Sequence, residues 1–202
     1  MGICYIVGAG DFYHPFTPGA GDLVIAADGG YDHLKKFGIR CDLLIGDLDS
    51  IKEAPSDVAL ITHPKRKDET DTYLAYREGV KKGYTTFHIY GGTGGREDHT
   101  FANYCLLLGA KNENNSVFLF SEKAKVSLIK NESVTLYSST GKTLSIFPFG
   151  SDASGVSILG AEYECENIIL KADFPLAVSN AFKDGPVTVR VENGALLIMQ
   201  EI

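Results

Sequence analysis

The sequence has no excess of positive charge, no long apolar run and no closely spaced pair of cysteines. Its 19 lysines and arginines stand against 26 aspartates and glutamates, a formal net charge of −7. This balance argues against sequence-independent binding to nucleic acid, which requires a positive surface. No apolar run approaches the roughly 20 residues that cross a bilayer. We therefore expect neither nucleic acid nor a membrane as a partner.

Several motifs are also missing. The four cysteines include no Cys-x-x-Cys pair, and the N-terminal segment lacks the basic flank and apolar stretch of a secretory signal. The five histidines form no zinc-spaced set. Neither the dinucleotide fingerprint Gly-x-Gly-x-x-Gly nor the phosphate loop Gly-x-x-x-x-Gly-Lys-Ser/Thr occurs. We expect a cytoplasmic protein with reduced thiols.

The first 121 residues or so alternate short apolar runs with helical patterns, which predicts a Rossmann-like, mostly parallel sheet with flanking helices. The predicted strands are 3–7, 23–26, 43–45, 58–61, 87–90 and 117–120. One predicted helix is capped by Asp68, places Tyr73 and Val80 on its apolar face, and closes near Gly83. The other runs from about 97 to 108, with Phe101 and Cys105 at helical spacing.

After about residue 122, strand patterns follow each other without helices, separated by turn signals. The predicted strands are 125–129, 133–137, 143–147, 156–159, 166–170, 187–191 and 195–199. This pattern predicts a C-terminal antiparallel β-sandwich. We therefore predict an α/β domain over residues 1–122 and a β-sandwich domain over residues 123–202.

Asp47 and Asp49 directly follow the apolar run 41–45. Two carboxylates at the end of a buried strand are the hard oxygen ligands that Mg²⁺ prefers. The alternative is an aspartate-rich turn without a ligand. A calcium loop is rejected, because its sixth and twelfth positions hold Lys52 and Val58 in place of glycine and glutamate.

Two further aspartates lie at ends of predicted elements. Asp28 follows a predicted strand and precedes two glycines, which suits either a close backbone approach to a ligand or a helix cap. Asp71 lies in the first turn of a predicted helix, where a carboxylate is favoured with or without chemistry. In an open α/β sheet, polar clusters that follow strands converge at one edge, where ligands bind.

The segment 91–95 contains four glycines and precedes Arg96 at the start of a predicted helix. Exposed N–H groups and a guanidinium are suited to holding phosphate oxygens. Turn geometry alone does not readily explain four glycines. Among the histidines, only His99, beside Asp98, is expected to face the site.

Taken in order, these clusters and the pair Ser179-Asn180 near the end of the chain resemble the thiamine pyrophosphokinase family, over nearly the whole sequence. The resemblance implies an α/β catalytic domain followed by a β-sandwich, and a homodimer. It also implies transfer of pyrophosphate from ATP to the hydroxyethyl group of thiamine, with release of AMP and with Mg²⁺ as cofactor.

The resemblance implies three groups of site residues. The carboxylates that hold Mg²⁺ and act in catalysis are Asp47, Asp49 and Asp71. The ATP contacts are Asp28, Gly92, Gly94, Gly95 and Arg96. The thiamine contacts are Thr70, Asp98, Ser179 and Asn180, the last two reaching across the dimer. Asp71 is the expected base for the alcohol proton, if a protein base is used.

The sequence departs from the family's commoner pattern at two of the expected vitamin contacts. Some members place an aromatic residue near the C-terminus, where this chain has leucine, isoleucine and methionine at 197–199. Residues 160–163 also differ from the usual Gly-Leu-Lys-aromatic pattern.

Two other functions remain open from the sequence. An aspartate-nucleophile phosphatase would use Asp47 and Asp49 as nucleophile and acid, but it explains neither the glycine loop with Arg96 nor the β domain. A non-catalytic protein that binds a nucleotide or thiamine would share most of the same residues. Retention of all four site aspartates argues against it.

Overall fold

The computed structural model describes residues 2–46, 58–62 and 68–202. The chain divides into two compact units, residues 1–122 and residues 123–202. No helix in these described ranges is long and apolar enough to cross a bilayer.

The first unit is a parallel sheet with helices. Its strands are β1 Cys4–Val7, β2 Leu23–Ala27, β3 Leu43–Gly46, β4 Ala59–Thr62, β5 Thr86–Tyr90 and β6 Ser116–Phe120. Its helices are α1 Gly30–Phe37, α2 Asp71–Lys81 and α3 Glu97–Asn112. The strand order is β6-β5-β1-β2-β3-β4, and each neighbouring pair is parallel.

The strand order reverses at β1, and this reversal positions the site. From β1 the chain moves outward on one side through β2, β3 and β4, and after α2 it returns to place β5 on the other side of β1. Ligands of open α/β sheets bind outside the carboxyl ends of the strands at such a switch point. Here the switch point lies between the ends of β1 and β5.

No helix occurs between β1 and β2, where the alternating pattern predicts one. Residues 8–22 form a loop that covers the sheet with aromatic rings instead. Phe16 stacks on Tyr5 with 4.2 Å between ring centroids and on Tyr90 at 4.9 Å. Phe12 contacts Tyr90 at 5.9 Å. Because these rings bury the sheet as a helix would, the loop keeps the layered architecture.

The start of α2 corrects one prediction. Thr70, and not Asp68, is the N-cap: its backbone is extended and its Oγ1 accepts a hydrogen bond from the N–H of Tyr73 at 3.2 Å. A capping oxygen must reach an N–H two or three residues ahead. Asp68 lies too early in the chain to cap a helix that begins at Asp71.

The predicted apolar faces of the two helices are also partly wrong. Tyr73 is 38% exposed, and α2 instead buries Ala75, Tyr76 and Gly79. A Cβ on Gly79 would lie 2.6 Å from Cε1 of Phe87, so the missing side chain lets the helix approach the sheet. Phe101 is 60% exposed. The buried positions of α3 are Asn103, Leu106, Leu107 and Ala110.

The second unit is antiparallel throughout the pairs that the structure describes. Its strands are β7 Ala124–Lys130, β8 Ser133–Leu136, β9 Thr143–Pro148, β10 Ala153–Leu159, β11 Cys165–Leu170, β12 Asn180–Ala181, β13 Val187–Arg190 and β14 Ala195–Glu201. They pair in the orders β12-β9-β14-β7 and β11-β10-β13-β8. Alternate side chains of both sets, such as Ile146, Ile158, Val189 and Ile198, share one buried core. The predicted fold class is confirmed.

Candidate active site

Two loops run side by side at the switch point: residues 8–11 after β1 and the glycine loop, residues 91–95, after β5. Backbone N–H groups of the first loop donate to carbonyls of the second, Gly10 to Gly91 and Asp11 to Thr93, both at 2.8 Å. Gly91 has a positive φ of 61°, and a side chain on it would overlap the backbone of Gly8. Close contact between the two backbones therefore requires a glycine at position 91.

Three carbonyl groups of the glycine loop accept hydrogen bonds from within the protein. Gly91 O and Thr93 O accept the backbone bonds from the first loop, and Gly92 O accepts from Nδ2 of Asn103 at 2.8 Å. In a trans peptide, the carbonyl of one residue and the N–H of the next point in opposite directions. The N–H groups of Gly92, Thr93 and Gly94 therefore point away from these partners, and no acceptor for them occurs among the described residues.

A cavity of about 270 Å³ borders this loop. Its walls include Gly10, Gly92, Thr72 in the first turn of α2, and Thr100 in the first turns of α3. His99, which the sequence predicted to face the site, also lines it. Unpaired N–H groups and the first turns of two helices give such a cavity a positive potential. The arrangement suits an anion with several oxygen atoms, such as a phosphate chain.

Arg96 lies at the cavity wall and is the N-cap residue of α3. Its Nε and Nη2 donate to the two carboxylate oxygens of Asp98 at 3.1 and 2.6 Å, while the side chains stay 72% and 63% exposed. The hydrogen bond from Arg96 is the main cause that lowers the pKa of Asp98, and the pairing raises the pKa of Arg96. Nη1 is not part of this pair, so it remains for a ligand.

The predicted metal ligands are only partly within the described residues. Asp71 is the first residue of α2. Asp28 follows β2 with a positive φ of 52°, and its N–H donates to Ile45 O at 2.7 Å. Asp47 and Asp49 lie outside the described residues. Within the parts of the chain that are described, no group of three or more His, Cys, Asp or Glu side chains is placed to hold a metal ion.

Asp28 nevertheless lies close to the end of β3. Its Cα would lie 3.2 Å from a Cβ built on Gly46, the last residue of β3 and the one before Asp47. A left-handed conformation is uncommon for aspartate and is typical of sites where the surrounding structure imposes it. The carboxylate of Asp28 is a hard oxygen donor, which is the ligand chemistry of Mg²⁺.

Two of the predicted vitamin contacts share a groove between α2 and α3. The groove has a volume of about 520 Å³ and is lined by Thr70 and Asp98 together with Tyr73 and Phe101. Both aromatic rings are exposed, at 38% and 60% of their surface. A carboxylate beside exposed aromatic rings suits an aromatic cation.

The other two predicted vitamin contacts lie in the second unit. Asn180 is 5% exposed, and its side-chain amide pairs with the backbone of Tyr163, accepting from the N–H at 2.9 Å and donating to the carbonyl at 2.7 Å. Ser179 is exposed and has a positive φ of 58°, and its N–H donates to Oγ of Ser145 at 3.0 Å. The amide of Asn180 is therefore largely committed, whereas the hydroxyl of Ser179 faces solvent.

Models of known protein families match both parts of the chain. The thiamin pyrophosphokinase catalytic domain matches residues 19–119, and the thiamin pyrophosphokinase vitamin B1 binding domain matches residues 128–196. The chain belongs to the thiamin pyrophosphokinase family. This confirms the family and the enzyme class, thiamine diphosphokinase, that the sequence motifs predicted.

Individual thiamin pyrophosphokinases are also similar to this chain. The thiamine pyrophosphokinase of Bacillus subtilis (strain 168) is 26% identical over 185 residues, which cover 88% of this chain and 86% of that protein. The crystal structure of the Bacillus subtilis enzyme has a TM-score of 0.90 at 24% identity, covering 98% of both chains. The structure of the enzyme from Candida albicans has a TM-score of 0.77 at 14% identity, covering 100% of this chain and 89% of that one. These structural similarities show the fold.

Sequence reasoning missed several residues of this candidate site. Gly8 and Gly10 follow a strand in the same way as the predicted clusters, so their spacing after β1 is a usable signal. Thr72 and Thr100 carry no such signal. Asn103 was missed because a polar residue on the buried face of a helix is visible only when the phase of the helix is known.

Proposed function

We propose that the chain transfers the pyrophosphoryl group of ATP to the hydroxyethyl group of thiamine, giving thiamine diphosphate and AMP. The main support is the glycine loop, whose N–H groups of Gly92, Thr93 and Gly94 have no acceptor among the described residues and lie at the switch point of the sheet. A site that only hydrolysed a phosphomonoester would not need so extended a row of donors beside Arg96.

In this proposal the ATP phosphates bind in the cavity of the first unit. The loop N–H groups donate hydrogen bonds to the phosphate oxygens, and Arg96 adds a positive charge through Nη1. Phosphoryl and pyrophosphoryl transfer need little covalent chemistry from the protein, because positioning and charge stabilisation supply most of the rate enhancement. Backbone donors suit this role, since they are fixed before the substrate arrives.

Asp47, Asp49 and Asp71 would hold Mg²⁺, with Asp28 beside them. Their carboxylates are the hard oxygen ligands that this ion takes. When bound, Mg²⁺ screens the negative charge of the phosphates. Asp71 begins α2 close to Thr72 of the cavity wall, so its carboxylate is our choice for the group that accepts the proton of the thiamine hydroxyl.

Thiamine would bind in the groove that Thr70 and Asp98 line. The exposed rings of Tyr73 and Phe101 offer faces to the cationic thiazolium ring, and Asp98 offers an acceptor to an amino group. Ser179 contributes its hydroxyl from the second subunit of a cytoplasmic homodimer. Asn180 acts there mainly through Tyr163, because most of its amide is bound to the backbone of that residue.

The nucleotide product tests the proposal. The protein is incubated with Mg²⁺, ATP and thiamine, and the products are separated by chromatography. We expect AMP and thiamine diphosphate in equal amounts, and no AMP without thiamine. Release of ADP, or of phosphate in the absence of thiamine, would instead favour a kinase of another type or a phosphatase. Binding of ATP and thiamine without turnover would favour a non-catalytic binding protein.

A further inference from the structure

Asn103 is a buried polar residue on the inner face of α3. It is 4% exposed and lies among the apolar residues Leu106, Leu107 and Ala110, which are buried on the same helix. A buried amide is costly unless it makes hydrogen bonds. Its Nδ2 donates to Gly92 O at 2.8 Å, and the residue also borders the cavity beside the glycine loop.

The bond from Asn103 differs in kind from the other bonds that hold the loop. Gly91 O and Thr93 O are held by backbone N–H groups of residues 10 and 11. Gly92 O, between them, is held by a side chain. The orientation of this part of the loop therefore depends on the side chain at position 103 as well as on the path of the backbone.

The Gly92–Thr93 peptide needs such an external partner. Glycine has no Cβ to restrict rotation about its backbone bonds, so a peptide group next to glycine reorients easily. A stiffer residue at position 92 would require its neighbours to shift, because its Cβ would lie 2.7 Å from Cδ1 of Leu119 and 3.0 Å from Cγ2 of Ile89. If this peptide turned over, its carbonyl would replace the N–H of Thr93 and would repel an anion.

We propose that Asn103 is a positioning residue that fixes the Gly92–Thr93 peptide with its N–H available for a phosphate oxygen. This inference rests on the proposed function, since it assigns a role within the phosphate site of that function. Asn103 acts through Gly92 and Thr93, so its effect is specific to the polyphosphate of ATP and does not extend to thiamine.

The chain offers a matched control for this test. Asn115 is 6% exposed and its Nδ2 also donates one hydrogen bond at 2.8 Å, in its case to the hydroxyl of Tyr76. It precedes β6 at the amino ends of the parallel strands, the opposite edge of the sheet from the glycine loop. Asn103→Leu and Asn115→Leu therefore remove the same kind of buried donor. The first does so beside the glycine loop, and the second at the opposite edge of the sheet, away from the proposed phosphate site.

The probe is inorganic tripolyphosphate, with its dissociation constant measured by calorimetry for the whole protein and both variants. Steady-state KM values for ATP and thiamine and the thermal midpoint are measured in parallel. We expect Asn103→Leu to raise the dissociation constant and the KM for ATP by on the order of tenfold, the effect of one hydrogen bond to a charged group. The KM for thiamine stays unchanged. Asn115→Leu lowers the thermal midpoint. It leaves the dissociation constant for tripolyphosphate and the KM for ATP within about twofold of the values for the unmodified protein.

Three outcomes would contradict the inference or its basis. Unchanged tripolyphosphate binding by Asn103→Leu, or an equal loss in both variants, overturns the positioning role. Failure of the unmodified protein to bind tripolyphosphate overturns the proposed phosphate site itself. Should a leucine variant fail to fold, Asn103→Ser and Asn115→Ser, which keep a shorter hydroxyl donor, are compared by the same measurements.

Discussion

Two buried asparagines hold two predicted binding loops in opposite ways. Asn103 binds one carbonyl of the glycine loop and leaves the N–H groups of the loop without described partners. Asn180 binds both the N–H and the carbonyl of Tyr163, so that backbone is satisfied from inside the protein. In the proposed function, the first loop therefore presents its backbone to a ligand, whereas the second presents side chains.

The difference matches the chemistry of the two substrates. Phosphate oxygens are acceptors, and a row of fixed N–H donors recognises them whatever they are attached to. Thiamine has aromatic faces and a few polar atoms, which side chains recognise better. The side chain of Tyr163 is 71% exposed at the tip of a loop that is further fixed by a bond from Glu162 N to Ala181 O at 2.9 Å. A rigid backbone thus supports an exposed ring.

The largest expected effect comes from removing the positive charge of Arg96, which lines the cavity beside the glycine loop. Arg96→Gln should lower kcat/KM for ATP by on the order of a hundredfold, because a charged donor to the phosphates is lost. The matched control is Arg190→Gln, since Arg190 also pairs with a carboxylate two residues later, Glu192 at 2.9 Å, and is similarly exposed. Steady-state kinetics should show no change for the control. Equal losses, or none, would mean that the loop does not bind through Arg96.

A second test concerns the backbone of the same loop. Gly94 has a φ of 80°, and a Cβ on it would overlap the carboxylate of Asp11. Gly94→Ala should lower the free energy of unfolding by about 2 kcal/mol through backbone strain and steric overlap, and should raise the KM for ATP. Gly95→Ala is the control for stability, since no atom lies within 4 Å of its built Cβ. Denaturant unfolding should show a change within about 0.5 kcal/mol for Gly95→Ala.

The sequence revealed the parts of the fold whose pattern is local. The apolar runs predicted β2 as 23–26 and the structure has Leu23–Ala27, because a strand buried on both faces needs a continuous apolar stretch. β12 has two residues, Asn180–Ala181, too few for any periodicity. The alternating pattern predicts a helix between β1 and β2, and the aromatic loop that replaces it has no regular period.

The candidate site could be proposed from the sequence where residue type alone suggests the chemistry, as in the glycine loop and Arg96. It was not predictable where a side chain acts on the backbone of a distant segment. Asn103 and Gly92 are 11 residues apart, and Asn180 and Tyr163 are 17 apart. Neither separation has a sequence signature, because such bonds depend on how the elements pack. The assignments of the site residues, including Asp47 and Asp49, remain predictions.

A third test addresses the loop that Asn180 closes. Asn180→Ala leaves the N–H and carbonyl of Tyr163 without their partner, which should lower the free energy of unfolding by about 1 to 2 kcal/mol. The ring of Tyr163 loses its fixed position, so the KM for thiamine should rise while the KM for ATP stays constant. The control is Asn131→Ala, which removes an acceptor from Gly194 N in another turn of the same unit.

For that control we expect a similar loss of stability with both KM values unchanged. A rise in the KM for ATP in Asn180→Ala would break the proposed division between a backbone site and a side-chain site. An unchanged KM for thiamine in Asn180→Ala would show that the Tyr163 loop has only a structural role.

The smallest effect is a pKa shift, and it decides whether Arg96 leaves Asp98 when phosphate binds. The hydrogen bond from Arg96 holds the pKa of Asp98 below its ordinary value of 3.8. Because the folded pKa is lowered, the stabilisation from this pair is present above the ordinary value and is lost as the pH falls through the folded pKa. NMR titration of the Asp98 carboxyl group should therefore show a higher pKa in Arg96→Gln than in the unmodified protein.

The same titration in the presence of tripolyphosphate separates two modes of binding. If phosphate draws Arg96 away from Asp98, the carboxylate loses its donor and gains a negative neighbour, and both changes raise its pKa. If the phosphate is held by the loop N–H groups and by Nη1 alone, the pair of 2.6 and 3.1 Å bonds persists and the pKa of Asp98 rises only through the added negative charge. We expect the smaller rise, because Nε and Nη2 already satisfy Asp98 while Nη1 remains available. A pKa above that found in Arg96→Gln would show that Arg96 transfers to the phosphate, which would make Asp98 free to bind thiamine only after ATP.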